Sequence, residues 1–164
     1  MIASRANSAY TRAAASPASN VVAIPTASKR LLISEPQRNW RDPVTKRLEE
    51  LIRLEEGWDG YRGAPVSFEI AHFAVRMLEV ACGLEVPVPQ IVPGSQGDLQ
   101  IEWHTERGDI ELDVLAPNNV SAWRRNESTG PDGEELLLTN DFSQVAAWIQ
   151  ELTEPSRAVG TAAA

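Results

Sequence analysis

Apolar residues recur at helical spacing in three stretches of the chain, and in the span between the second and third they alternate with polar ones. Asp42-Pro43 opens the first stretch. Asp42 is expected as N-cap, with the proline in the first turn, where its missing N–H costs nothing. Val44, Leu48, Leu51 and Ile52 then share one face, and Gly57 is the expected stop. Ser67 is a good N-cap for a second helix, whose Ile70, Phe73, Ala74, Met77, Leu78 and Ala81 form a stripe at i, i+3, i+4, i+7. Gly83 is expected to close it as a C-cap.

From Val86 the period falls to two. The proline-punctuated "VPVPQIVPG" suits an entry or edge segment, because proline cannot donate to a ladder from a central strand. In "DLQIEWH", Leu99, Ile101 and Trp103 point one way and Gln100, Glu102 and His104 the other. After a short turn at "ERG", Ile110, Leu112 and Val114 again oppose Asp109, Glu111 and Asp113, so the two runs read as a hairpin with one buried side. "NVSAWRR" and "EELLLT" supply two further strands across the turn-rich "NESTGPDG". Asn140 or Asp141 caps a last helix with the stripe Phe142, Val145, Ala146, Ile149 and Leu152. The pattern predicts an α+β fold: two N-terminal helices, an antiparallel β-meander of about four strands and a C-terminal helix, with the helices packed on one sheet face.

Outside these elements the pattern lapses. Residues 1–38 are rich in Ala, Ser, Asn, Thr and Pro, a composition too poor in apolar surface to offset its ordering entropy, and read as a disordered basic arm. Residues 39–155 form a single domain and 156–164 a flexible tail. Two short apolar groups in the arm, Val21-Val22-Ala23-Ile24 and Leu31-Leu32-Ile33, are suited to adding as a strand or docking in a groove, on a partner or on their own domain. The Ala/Ser/Arg-rich start also has the composition of an organellar transit peptide, ranked below a plain disordered arm.

Charge sharpens the picture. The net charge of -8 is unevenly spread: up to Arg41 the chain carries six Lys and Arg against the single acid Glu35, so the folded body is strongly acidic. An acidic body repels phosphate backbones and favours a protein partner with a basic surface; nucleic acid is disfavoured for the folded part. Cys82 is the only cysteine, which excludes an intramolecular disulfide and a thiolate zinc cluster and fits a reducing cytoplasm. No run approaches the roughly 20 apolar residues needed to span a bilayer. A homo-oligomer is left open.

Two places carry candidate chemistry. In "EEGWDGYRGAP", Gly57, Gly60 and Gly63 can each take positive φ, allowing a tight reversal between helices. A ligand loop would use Trp58 and Tyr61 for stacking and Asp59 or Arg62 for a polar contact. The preferred reading is a structural corner, with both aromatics folded inward and Asp59 bonding neighbouring backbone N–H groups as an Asx turn. Neither phosphate-loop spacing nor a strand-borne dinucleotide fingerprint is present. "GWDGYRGAP", followed by "PVPQIVPGSQGDLQIEWH" and "DIELDV", resembles small uncharacterised bacterial proteins that carry a GWDGYGA-type turn and a "P.I.P...G.lq.EW" strand. The resemblance spans about residues 48–115 and departs at Arg62, inserted where a glycine follows the tyrosine in that pattern. It implies a shared fold and brings no established activity and no catalytic residues.

The second place is the open face of the hairpin, where Glu102, His104, Asp109, Glu111 and Asp113 gather, some about 5 Å apart across the strands. Such a cluster could form a carboxylate/histidine metal site or an acid–base pair. It lacks ligand spacing such as HExxH, and charged residues on the wet side of an antiparallel sheet are sufficient explanation. Trp123 shares a strand face with Ser121 and Arg125 and joins the candidate surface. Cys82 ends a helix stripe without an activating helix N-terminus, and no serine sits in a GxSxG context. The leading expectation is a small cytoplasmic interaction module, antitoxin-, immunity- or adaptor-like, that uses the acidic sheet face and the N-terminal arm, without catalytic residues, metal or cofactor. The alternative is a metal-dependent or carboxylate-based enzyme on the Glu102/His104/Glu111/Asp113 face.

Overall fold

A computed structural model of the chain describes residues 37–153; the tail expected over 156–164 and nearly all of the arm expected over 1–38 lie outside them. Three helices and a five-stranded antiparallel sheet make an α+β fold: α1 (Arg41–Leu51), α2 (Phe68–Ala81), β1 (Gln90–Pro93), β2 (Leu99–Thr105), β3 (Gly108–Ala116), β4 (Asn119–Arg125), β5 (Glu134–Leu138) and α3 (Ser143–Thr153). The strands lie in chain order, so every connection is a hairpin or short loop and the sheet is a meander. The sheet has five strands, where about four were expected, because the proline-rich entry segment pairs with β2 as an edge strand, Ile91 opposite Ile101.

The alternating pattern sorts the strands as its period requires. Leu99, Ile101, Trp103, Ile110, Leu112, Val114, Val120 and Ala122 all face one side and are buried. They meet Val44, Leu48 and Leu51 of α1, Ile70, Ala74, Met77 and Leu78 of α2, and Val145, Trp148 and Ile149 of α3 in one continuous core. Fully burying one such side chain is worth roughly 1.5–3 kcal/mol, and this layer fixes which face of the sheet remains for solvent.

Several helix ends differ from expectation. α1 begins at Arg41 with Trp40 in the N-cap position, so Asp42 sits inside the first turn, where its charge complements the helix dipole. Trp40 holds this start by burial and by donating its indole N–H to the Gly83 carbonyl at 3.1 Å. The helix stops at Leu51, well before Gly57, because the Leu51 carbonyl accepts the Val66 N–H from the returning chain. Ser67 is the N-cap of α2, although its side chain makes no capping hydrogen bond. Gly83 is not a left-handed C-cap. The last carbonyls of α2 are met instead by Arg38, whose guanidinium donates to the Glu79 and Cys82 carbonyls at 2.6 and 3.1 Å. A cation at a helix C-terminus also interacts favourably with the helix dipole. At α3, Asp141 accepts the Ser143 N–H at 2.9 Å, as an end-capping carboxylate does.

Candidate functional site

The glycine stretch forms a closed corner. The Gly57 N–H donates to the Gly63 carbonyl at 2.8 Å, and Gly57 and Gly60 take φ of +80° and +83°, where a side chain would be strained. Asp59 Oδ1 accepts both the Tyr61 and Gly63 N–H groups at 2.9 Å. These bonds, Gly63 first, hold its carboxyl below the usual range. Gly63 is required for space and has no positive φ: a Cβ there would lie 2.8 Å from Asp59 Cγ and from Trp58 Nε1. Trp58 is half-buried and donates its indole N–H to the Ala64 carbonyl at 3.0 Å. The corner is tied to the loop before β2 through Ala64 N–H to Ser95 O and Ser67 N–H to Gly97 O. Tyr61, expected to fold inward with Trp58, instead points out and is 88% exposed. With the reversal closed by backbone and Asp59 bonds, nothing draws its ring inward. Arg62 is also exposed, and Asp59, Tyr61 and Arg62 border an open cleft with Ser95 and Gln96.

The outer sheet face is built by strand register. Gln90, Glu102, Glu111, Trp123 and Glu135 form one row across all five strands. Val92, Gln100, Asp113, Ser121 and Leu137 form the next. His104, Asp109 and Arg125 form a shorter one. The acidic residues read from the sequence are thus brought together, but they are not equivalent.

At one end the charges are neutralised. Asp109 accepts from Arg125 at 2.7 Å and lies 3.0 Å from His104 Nδ1, while Glu102 lies 3.2 Å from His104 Nε2. Only a doubly protonated imidazole donates to carboxylates at both nitrogens, so this setting raises the pKa of His104, through Asp109 first and Glu102 next. It lowers that of Asp109, through His104 and then Arg125. A ring held in this way has no free nitrogen to act as a base or a metal ligand. Among the described residues, no three His, Cys, Asp or Glu side chains converge to hold a metal ion.

Toward the other end, among the described residues, Glu111 and Asp113 have no cation against them, although Glu102 is bridged to His104. Glu111 is directly opposite Glu102 and is met by the amide of Gln100 at 3.2 Å. Asp113 is exposed, yet loss of hydration beside neighbouring atoms pushes its pKa up, with the charges of Asp98 and Glu102 adding to the effect. Trp123 is half-buried, with its indole N–H near the Asp132 carbonyl at 3.4 Å and the Arg125 guanidinium 5.6 Å from its ring centre. Sequence reasoning placed Gln100 on this face without naming it a site residue, and missed Asp98 and Glu135. Glu135 could have been found by reading the alternation within "EELLLT" itself; Asp98 lies in a loop, where no periodicity applies.

Elsewhere, a groove of about 600 Å³ runs between α1 and α2, lined by Leu48, Ile52, Phe68, Ala71, His72 and Val75. Cys82 is buried, and burial pushes its thiol up to about 12, against a smaller opposing pull from Arg38. Among the described residues no helix is long and apolar enough to cross a membrane. No known protein family, curated protein or solved structure matches the chain.

Proposed function

We propose that the chain is a protein-interaction module whose outer sheet face docks a basic protein surface, with Glu102, Glu111, Asp113 and Glu135 as its charged residues and Trp123 between Glu111 and Glu135. One observation carries this reading: Glu111 stands directly opposite Glu102 on the adjacent strand and, among the described residues, is met by the neutral amide of Gln100 and by no cation, His104 being bridged to Glu102 instead. Like charges so placed destabilise a sheet by a few tenths of a kcal/mol or more. A partner's Lys or Arg side chains would relieve that repulsion on binding, and the solvated acidic field would steer their approach. His104, Asp109 and Arg125 then frame the surface and fix its orientation. An antitoxin, immunity or adaptor role in the cytoplasm is the functional class that best fits a small acidic domain of this kind. The N-terminal arm is a second contact in this proposal.

The test compares captured partners of the full-length chain with those of a Glu111→Lys variant at low and at high salt. Support is a basic protein that binds the first, is lost or much slower on the second, and weakens as salt rises, the Debye length falling from about 10 Å at 0.1 M to about 3 Å at 1 M. Binding that ignores both the substitution and the salt would remove the outer face from the interface.

A further inference from the structure

The two edges of the sheet are treated differently. β1 is blunted: Pro93 lies within it and Pro87 and Pro89 lead into it, each without an N–H to offer. The Ile91 carbonyl is further taken by Arg47 Nε of α1 at 3.2 Å. β5, at the opposite edge, contains no proline, and among the described residues its only strand neighbour is β4. It also displays Leu137, which is 82% exposed on the outer face. An unblocked edge with a bare aliphatic side chain is a template for another strand.

We propose that the chain self-associates through this edge, β5 pairing antiparallel with β5 of a second copy about a two-fold axis at Leu137. A second copy is the occupant because the edge is self-complementary in one register. A continuous sheet requires side chains that face the same way to stand opposite one another, which limits the axis to alternatives one residue apart along β5. An axis at Glu134 or Glu135 sets two like charges directly opposite, one at Leu136 sets Leu137 against Glu135, and one at Leu138 sets Leu137 against Thr139 and leaves β5 paired with β5 only at Leu138. The axis at Leu137 sets Leu137 against Leu137, Leu136 against Leu138, Glu135 against Thr139 and Glu134 against Asn140, so apolar meets apolar and each carboxylate meets a neutral polar group. This is an isologous contact of the kind that closes a dimer. It makes a ten-stranded sheet and sets two acidic faces side by side.

Charge gives the association a signature of its own. Each chain carries a net charge of -8, so the copies repel, and screening by salt should tighten the dimer while it weakens docking of a basic partner. Sedimentation equilibrium on the full-length chain should give twice the chain mass at about 100 µM, with a larger dimer fraction in high salt than in low. Leu137→Lys should run as a monomer with an unchanged far-UV spectrum. Register is read by cross-linking with oxidised glutathione. Directly opposed residues have Cα atoms about 4.5–5.5 Å apart, within disulfide reach, so Leu137→Cys should link two copies. Glu135→Cys should not, its two thiols being offset by roughly 13 Å along the strands. A monomer at the highest concentration, a dimer indifferent to Leu137→Lys, or linkage through Glu135→Cys as ready as through Leu137→Cys would each overturn the proposal.

Discussion

Replacing Gly63 with alanine tests whether the corner is there for its shape. The added Cβ would lie 2.8 Å from both Trp58 Nε1 and Asp59 Cγ, where ordinary contact begins near 3.4 Å, so each neighbour must give by about half an ångström. Asp59 can swing outward only by releasing the Tyr61 and Gly63 N–H groups. Trp58 is a rigid ring that can retreat only by releasing the Ala64 carbonyl. Overpacking of this kind costs about 1–3 kcal/mol, and the indole hydrogen bond about 1 more. The sum, about 3 kcal/mol, corresponds to roughly 10 °C in Tm for a domain of this size. Urea unfolding followed by far-UV circular dichroism supplies the number, with Tyr61→Ala as the matched control, expected to lie within about 0.5 kcal/mol of the parent because the ring is exposed. A Gly63→Ala midpoint equal to the parent's, or a larger loss from Tyr61→Ala, would refute the structural corner and return the stretch to a binding role.

Other consequences can be checked on the same protein. Arg124 is held by Glu134 and Glu151 at 3.0 Å each and lies 4.7 Å from the Trp148 ring centre, so Arg124→Met should lower stability by about 2 kcal/mol in urea titrations; an unchanged midpoint would mean that the packing of its stem accounts for its role. His104 has a folded pKa raised above the ordinary 6.5, so its contribution is full below that value and is lost as pH rises through the raised one. Stability of the parent should therefore fall in that window relative to His104→Gln, and parallel profiles would contradict the bridge to Asp109 and Glu102. Cys82 should resist a water-soluble disulfide reagent until the chain unfolds, since its thiol is buried and pushed up to about 12; immediate labelling in native buffer would contradict its burial.

The core face of the sheet was legible because alternation is a strict rule: once Leu99, Ile101 and Trp103 face inward, Gln100, Glu102 and His104 must face out. Helix ends were less legible. Asp42-Pro43 is a sound start signal, yet α1 begins two residues earlier because Trp40 is buried and anchored on Gly83, a contact between residues far apart in sequence. The end of α1 was misplaced for a similar reason, Val66 taking the Leu51 carbonyl before any glycine was reached. The edge strand β1 was half-visible, since its prolines marked an edge but not its pairing with β2. Of the acidic face, position followed from periodicity alone. The division into a neutralised and a bare end did not, because it depends on β4 bringing Arg125 beside Asp109 and no cation beside Glu111.

That division supplies an internal comparison. A solvated sheet face needs polar side chains, and alternating signs would serve solubility while adding cross-strand attraction; the His104–Asp109–Arg125 end of this sheet does that. At the next pair on this face Glu111 forgoes it: it stands opposite Glu102, whose own cation is His104. If the bare end were only a wet surface, Glu111→Gln would be stabilising at no other cost: it keeps a partner for Gln100 and removes a like-charge opposition worth about 0.2–1 kcal/mol at low salt, shrinking as salt is added. The docking reading requires the same substitution to carry a second effect, a slower association with a basic partner. Stabilisation together with slower association would identify the repulsion as strain kept for binding. Stabilisation alone would make the acidic face an accident of solubility, and loss of stability would show that the Glu102–Glu111 opposition is relieved within the fold itself.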